Sequence, residues 1–102
     1  MNMDDLKWMR NGTVFACHAH KRALNLRKHG IDLIRASAVF DDPFSFSFFD
    51  ADHSDREERY GIVGRADNEV LVCVIHTLRG ETIRLISARK ATRKEAEDYA
   101  KR

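Results

Sequence analysis

Hydrophobic and polar residues alternate along much of the second half of the chain, a pattern typical of strands with one buried face. In the stretch FSFSFF, Phe44, Phe46 and Phe48 alternate with two serines, and their side chains are expected in the core. Strands are predicted at residues 13–17, 44–49, 59–65, 70–78 and 81–89. The last four are joined by connections too short for parallel crossovers, so they should form an antiparallel meander.

The remaining segments carry helical signals. Residues 18–29 and 33–40 have helical periodicity, and Thr92 with Glu95 matches a capping box that starts a short third helix. The predicted order is β-α-α-β-β-β-β-α, which is an α+β fold. Two N-terminal helices can cover one face of the sheet. The short C-terminal helix covers the other face incompletely, which favours a protein partner or a homodimer.

Length and charge refine this picture. A chain of 102 residues predicts one domain, here residues 13–102, preceded by a flexible leader over residues 1–12. The net charge is +2, but residues 41–78 hold 3 Lys/Arg against 9 Asp/Glu, and both flanking segments are basic. Such separation suits a protein that binds a polyanion on one side and a basic partner on the other.

Several classes of protein and site are disfavoured. No apolar run reaches the roughly 20 residues of a membrane span, and no secretory signal is visible, so the cytoplasm is the expected location. Cys17 and Cys73 lie in apolar strand patterns and are expected to be core residues. Asp50, His53 and the acidic pair after them fit no standard metal spacing. No metal or cofactor is therefore expected.

The turn lengths predict which side chains share a row across the sheet. With a two-residue turn at Arg79-Gly80 and a four-residue turn at 66–69, Arg65, Val70 and Arg89 fall on one row. The two arginines would flank the valine at a separation of roughly 10 Å. Arginine is permanently charged and matches phosphate in fork geometry, so this row predicts a phosphate site.

Several segments of the chain together resemble a known family. They are KRALNLRKHGID, VFDDP, DADHSDREERY, IVGR, IHTLRGETIRLISARKAT and EAEDY, and they resemble the BrnT toxins of the bacterial BrnT/BrnA toxin–antitoxin pair. The resemblance implies a RelE-like fold and a ribonuclease that inhibits translation. It also implies a BrnA-like ribbon-helix-helix antitoxin that neutralises the toxin and carries the complex to operator DNA. The family usually opens with Phe-x-Trp-Asp, where this chain has Phe15-Ala16-Cys17-His18.

The catalytic candidates follow from what metal-free RNA cleavage needs, namely a base, an acid and cations for the phosphorane. Arg65 and Arg89 are the first candidates for the cations. Arg84, in an apolar strand context, is either paired with a carboxylate of Glu57 or Glu58 or aimed at a ligand. His76 suits proton transfer. However, the predicted register places it beside Arg59 and Ile83, roughly 20 Å from the arginine row, where a strand histidine with satisfied hydrogen bonds is the alternative.

The RNA-binding candidates lie mostly on the first helix. His18, Lys21, Asn25 and Lys28 recur on one polar stripe. With the adjacent His29 the stripe could follow an RNA backbone, and a solvated helix face is the alternative. Lys90 follows the arginine row and could bind a phosphate.

The expected function is therefore a metal-independent endoribonuclease toxin that cleaves RNA to a 2′,3′-cyclic phosphate. The alternative is a non-catalytic binding module that acts with its antitoxin as a DNA-bound autorepressor subunit.

Overall fold

The computed structural model describes residues 4–67 and 69–102, and in them it has one mixed β-sheet and three α-helices. The strands are β1 (Asp5–Arg10), β2 (Thr13–His18), β3 (Phe46–Phe49), β4 (Tyr60–Arg65), β5 (Leu71–Arg79) and β6 (Thr82–Lys90). The helices are α1 (Ala19–His29), α2 (Leu33–Ala36) and α3 (Arg93–Ala100), with 3₁₀ helices at Ser37–Asp41 and Ala51–His53. The strand order is β1-β2-β6-β5-β4-β3. The α+β class is confirmed.

The meander of β3 to β6 is antiparallel, as expected, but the sheet extends beyond it. Strand β2 pairs with β6 in parallel, at Phe15–Ile83 and Ala16–Arg84, which makes the sheet mixed.

The side chain of Asn25 in α1 forms hydrogen bonds with the backbone of β6. Its amide nitrogen donates to Ala88 O at 2.9 Å, and its oxygen accepts from Ala88 N at 3.0 Å. Asn25 is buried, so it does not belong to a solvated polar stripe.

The segment expected to be a flexible leader contains strand β1. Asn11 and Gly12 both have positive φ, 49° and 82°, which is the backbone of a two-residue hairpin turn that joins β1 to β2. The Trp8 ring stacks on Phe15 with centroids 5.9 Å apart, and its Nε1 donates to Ser37 Oγ at 2.9 Å. From residue 5 the chain is therefore part of the sheet, and residues 1–3 lie outside the described residues.

The two sides of the sheet differ in how they are covered. On the helix face, α2 and the following 3₁₀ helix bury an apolar core. Its buried members are Phe15, Cys17, Leu33, Ala36, Val39, Ile62, Val72, Val74, Leu85 and Ala88. Side chains point alternately to the two faces, so the opposite side, which we call the open face, carries Val63, Cys73 and Arg89.

Helix α3 covers one end of the open face. None of its residues is buried, and Glu95 and Tyr99 attach it through polar contacts.

The phenylalanines before and in β3 do not form the expected core stripe. Phe46 and Phe48 lie on the open face and are half-buried, and Phe44 is 56% exposed, so that prediction is wrong. Both cysteines are free and buried, as expected.

Candidate active site

The predicted arginine row does not form. Arg65 pairs with Leu71, whereas Arg89 pairs with Cys73, which in turn pairs with Val63 of β4. Because Arg65 lies two residues beyond Val63, both arginines point to the open face, but they occupy different rows.

The β4–β5 pairing differs by one residue from the expected register, since Arg65 pairs with Leu71 and not with Val70. Two local features shift the β5–β6 pairing. The turn between β5 and β6 consists of Gly80 and Glu81, one residue later than expected, and Gly80 has the positive φ of 61° that such a turn requires. A bulge at Ile75/His76 then shifts the pairing again. A bulge adds an unpaired residue to one strand, and the alternation of apolar and polar residues does not show where it occurs.

Arg89 joins strand β6 to helix α3. Its Nη1 and Nη2 donate to Glu95 Oε1 and Oε2 at 2.7 and 3.1 Å. Glu95 Oε1 also accepts from Thr92 N at 2.9 Å, and Thr92 Oγ1 accepts from Glu95 N at 3.1 Å, so the predicted capping box is confirmed. The hydrogen bonds from Arg89 hold the pKa of Glu95 below its ordinary value.

Arg65 lies near the other end of α3. Its guanidinium carbon is 5.5 Å from the centroid of the Tyr99 ring, and its Nη1 donates to Glu69 O at 3.0 Å. Asp42 Oδ2 accepts from the Arg65 backbone N–H at 2.8 Å and from the Tyr99 hydroxyl at 2.6 Å. Although burial opposes it, these hydrogen bonds and one from Phe44 N lower the pKa of Asp42. Arg65 and Arg89 thus both contact side chains of α3.

Arg84 is paired with a carboxylate, but not with either of the expected ones. Its Nη2 and Nη1 donate to Asp5 Oδ1 and Oδ2 at 2.8 and 3.1 Å. The hydrogen bonds from Arg84 lower the pKa of Asp5. The partner lies in β1, within the segment that the sequence did not predict to be structured.

His76 is buried on the helix face. It pairs with Tyr60 and Leu85 rather than with Arg59 and Ile83. Its ring lies 4.9 Å from that of Phe40, and its Nδ1 is 3.3 Å from Val74 O. Burial lowers the pKa of His76, which keeps it neutral near pH 7.

The four RNA-binding candidates are only partly brought together. His29 and Lys90 line a cavity of about 260 Å³ beside Leu26, Ile31 and Val70. Lys21 and Lys28 are exposed on α1 and are not among the residues that line it. Lys90 is next to Arg89 in β6, so the two side chains point to opposite faces of the sheet.

A second cavity of about 260 Å³ lies on the open face, and we call it the open-face cavity. Its lining combines an apolar floor with a charged rim. The residues are Phe48, Asp50, His53, Arg59, Ile75, Ile86, Ser87 and Arg89. Phe48, Gly61, Ile75 and Ser87 form one row across β3 to β6, so the regular sheet places much of the floor.

The rim holds a histidine in a fixed orientation. His53 Nδ1 lies 3.1 and 3.2 Å from the two carboxylate oxygens of Asp50. A neutral imidazole carries one N–H, and a carboxylate accepts it, so the hydrogen is held on Nδ1 and Nε2 keeps its lone pair. The His53 side chain is 67% exposed, which leaves Nε2 accessible to a ligand.

Two guanidinium groups share the cavity with His53. Besides Arg89, Arg59 lines it, 3.6 Å from the nearest Glu57 carboxylate oxygen. Arg59 Nε is buried and has no hydrogen-bond partner among the residues that the structure describes. The site therefore offers a proton acceptor and two cations within one cavity.

Sequence reasoning missed Asp50, His53 and Arg59 as parts of one site. It considered the first two only as metal ligands. Across residues 4–67 and 69–102, no three His, Cys, Asp or Glu side chains are grouped as metal ligands would be. A usable signal was the Asp-x-x-His spacing before strand β4, since a single 3₁₀ turn at Ala51–His53 brings these two side chains together.

Comparison with known proteins identifies the family of the chain. The family model of the BrnT ribonuclease toxin of type II toxin–antitoxin systems matches residues 18–95, which is most of the chain. The chain belongs to the BrnT family. The alternative of a non-catalytic repressor subunit is not favoured by a family that consists of ribonuclease toxins.

A solved BrnT structure has a similar fold. It is the 1.1 Å crystal structure of the Brucella abortus ribonuclease toxin BrnT, with a TM-score of 0.59 and 25% sequence identity. The similarity covers 76% of this chain and 94% of that chain. None of the curated proteins matches the chain. In the described parts of the chain, no helix is long and apolar enough to cross a membrane.

At residue 18 the chain has His where the BrnT motif usually has Asp, and the structure shows what this His does. His18 is the N-cap of α1, and its Nδ1 accepts a hydrogen bond from His20 N at 3.1 Å. An N-cap side chain satisfies one of the free backbone N–H groups at the start of a helix, and Asp is among the best residues for it. His18 thus makes the contact that an Asp at this position would make.

Proposed function

We propose that the protein is a metal-independent endoribonuclease toxin whose reaction takes place in the open-face cavity. The observation that carries the proposal is His53, oriented by Asp50, in the same cavity as Arg59 and Arg89. A base and two permanent cations are two of the three things that RNA cleavage by its own 2′-hydroxyl requires, and water can supply the third, an acid.

The geometry supports a specific division of work. His53 Nε2 takes the proton of the 2′-hydroxyl, whose oxygen then forms a bond to phosphorus. The bond between phosphorus and the 5′-oxygen breaks, and water at this exposed site protonates the leaving oxygen. The hydroxide that remains takes the proton from His53, which regenerates the base. Arg59 and Arg89 stabilise the extra negative charge on the phosphorane. The products are a 2′,3′-cyclic phosphate and a 5′-hydroxyl end.

The other candidate residues take different roles in this proposal. Arg84 is paired with Asp5 and His76 is packed in the core, so both support the sheet. Arg65 positions α3 through Tyr99 and Asp42. Lys21, Lys28, His29 and Lys90 bind phosphates outside the cleavage site, which would raise affinity without reading sequence.

The cellular role follows from the family. The type II family implies an antitoxin partner. We propose that this partner is a BrnA-like ribbon-helix-helix protein with a basic segment that binds residues 41–58, which are rich in Asp and Glu. Cleavage of RNA would inhibit translation in the bacterial cytoplasm, and operator DNA would be bound through the antitoxin. A homodimer would have to form through a surface outside the open-face cavity, because RNA must enter that cavity.

The proposal is tested by cleavage of an end-labelled RNA in the presence of EDTA. The wild type should produce 2′,3′-cyclic phosphate ends, and a 2′-deoxy substitution at the scissile position should abolish cutting. His53→Gln should lower kcat by about 10²- to 10⁴-fold, because it removes the general base. Induced expression without the antitoxin should arrest growth in parallel.

A matched control separates the site from general effects. His20→Gln changes an exposed histidine on α1 and should leave cleavage unchanged. If the wild type cleaves RNA and His53→Gln cleaves it equally well, the proposal of a nuclease is retained but the assignment of its site to the open-face cavity is wrong. If cutting requires Mg²⁺, the metal-independent mechanism is wrong.

A further inference from the structure

Phe48 occupies an unusual position in the floor of the open-face cavity. It lies opposite Gly61 in the β3–β4 pairing. A methyl group added at Gly61 would lie within 3.0 Å of the ring atoms Cζ, Cε1 and Cε2 of Phe48. The ring therefore lies across strand β4, on the bare backbone of Gly61, instead of packing into the core.

The surroundings of the ring have the composition of a nucleotide site. Ile75 and Ile86 extend the apolar floor beside Phe48, and Ser87 lies at its edge. Arg59 and Arg89 stand on the same rim as His53. The volume of about 260 Å³ is smaller than the roughly 300–1,000 Å³ of pockets for drug-sized ligands, which suits one planar base.

We infer that Phe48 is a stacking platform for one nucleobase of the RNA, next to the phosphate that is cleaved. An aromatic ring with an open π-face binds any base without reading its hydrogen-bonding edge. Gly61 makes the platform possible, because any side chain there would displace the ring. The inference rests on the proposed function, since it takes the arginines of the same cavity to be phosphate ligands.

The experiment measures binding of an uncleavable 2′-O-methyl RNA oligonucleotide and, separately, cleavage of the unmodified RNA. Phe48→Leu keeps an apolar side chain but removes the ring. It should weaken binding and raise KM by about 5- to 150-fold, the range that corresponds to one lost base stack. Phe48→Tyr keeps the ring and should retain binding.

Phe46 provides the matched control. It lies on the same strand and the same face, two residues away, and its ring contacts Arg102, whose guanidinium carbon is 5.2 Å from the ring centroid. It does not line the open-face cavity. Phe46→Leu should therefore leave the affinity for RNA unchanged.

A test from the RNA side does not depend on how the variants fold. One abasic position at a time is placed in the oligonucleotide, and one position should weaken binding to the wild type about as much as Phe48→Leu does. If no abasic position matters, or if Phe48→Leu changes kcat alone, the platform is wrong. If the wild type binds RNA but cuts none, the nuclease proposal fails and the binding results still decide on the platform.

Discussion

Arg89 of β6 and Glu95 of α3 are joined by two parallel hydrogen bonds, of 2.7 and 3.1 Å, at the edge of the open-face cavity. Arg89 would have two tasks. Its pairing with Glu95 attaches α3 to the sheet, and its guanidinium would bind a phosphate. Removing either partner breaks the attachment, but only the loss of Arg89 removes the cation.

Substitution of each partner separates these tasks. Glu95→Gln and Arg89→Gln should each lower the free energy of unfolding by about 1 kcal/mol, because both side chains are partly exposed and solvent weakens the pair. Arg89→Gln should also lower kcat/KM for RNA cleavage by at least roughly 10-fold, whereas Glu95→Gln should retain it. Urea denaturation and single-turnover cleavage measure the two effects.

Equal losses of cleavage in the two variants would mean that Arg89 acts only by attaching α3. Arg65→Gln is a useful third variant, since Arg65 contacts α3 without lining the open-face cavity. The kcat/KM of Arg65→Gln for RNA cleavage should remain close to that of Glu95→Gln.

Trp8 reports whether β1 forms in solution, because it is the single tryptophan of the chain. In the structure its ring stacks on Phe15 and its N–H is bonded to Ser37. Its fluorescence should therefore change with the same urea midpoint as the far-ultraviolet circular dichroism. Trp8→Ala should cost about 2–4 kcal/mol of stability, somewhat less than the truncation of a fully buried Trp, because Trp8 is half-buried.

Strands that pair through short turns were the most predictable part of this fold. Boundaries for β4 to β6 agree within one or two residues because alternation fixes which residues face the core. Strand β1 was not predicted, although Asn11-Gly12 is a strong hairpin signal. The reason is that Met9 and the charged residues around it do not have the pattern of a buried strand. Its pairing depends on Trp8, whose partners lie far along the chain.

The site was less predictable than the fold for a physical reason. Arg89 was a candidate because of its place at a strand end, but its neighbours in the cavity come from other strands and from the segment between β3 and β4. A bulge at Ile75/His76, a one-residue change in the β5–β6 turn and a one-residue shift in the β4–β5 pairing moved each predicted row. His53 falls in a polar stretch without periodicity, where spacing alone does not place side chains. Arg59 was expected in a different row, beside His76.

Burial of His76 should make stability depend on pH. Its folded pKa is lowered from the ordinary 6.5, so the unfolded chain binds the proton more tightly. Stability is then full above about pH 6.5 and falls as the pH drops below it, by at most about 1.4 kcal/mol per pH unit. Urea denaturation at about pH 7.5 and about pH 5 measures this loss, and His76→Gln should reduce it.

The pH range of this test matters because carboxylates contribute at lower pH. The pKa of Glu95 is lowered from 4.5, so its contribution to stability is lost only below that value. His20→Gln, at an exposed position, should keep the wild-type pH dependence. An unchanged slope in His76→Gln would mean that His76 is not the group responsible.

Because His18 is the N-cap of α1, substitutions at this position, including the Asp that the family usually has there, should change stability in a predictable way. His18→Ala removes the acceptor for His20 N and should cost about 1 kcal/mol in urea denaturation. His18→Asn should stay within a few tenths of a kcal/mol of the wild type, because Asn caps as well as Asp does.

His18→Asp should add a favourable interaction with the helix dipole of about 0.3–1 kcal/mol. Part of it is offset at low salt by Asp4, whose carboxylate lies 3.8 Å from the His18 ring nitrogen. Salt screens both the helix-dipole interaction and the repulsion from Asp4, so the difference in stability between the Asp and Asn variants should narrow at high salt. Because His18 does not line the open-face cavity, cleavage by His18→Asp should equal that of the wild type. A large gain in cleavage would instead place the N-terminus of α1 in the active site.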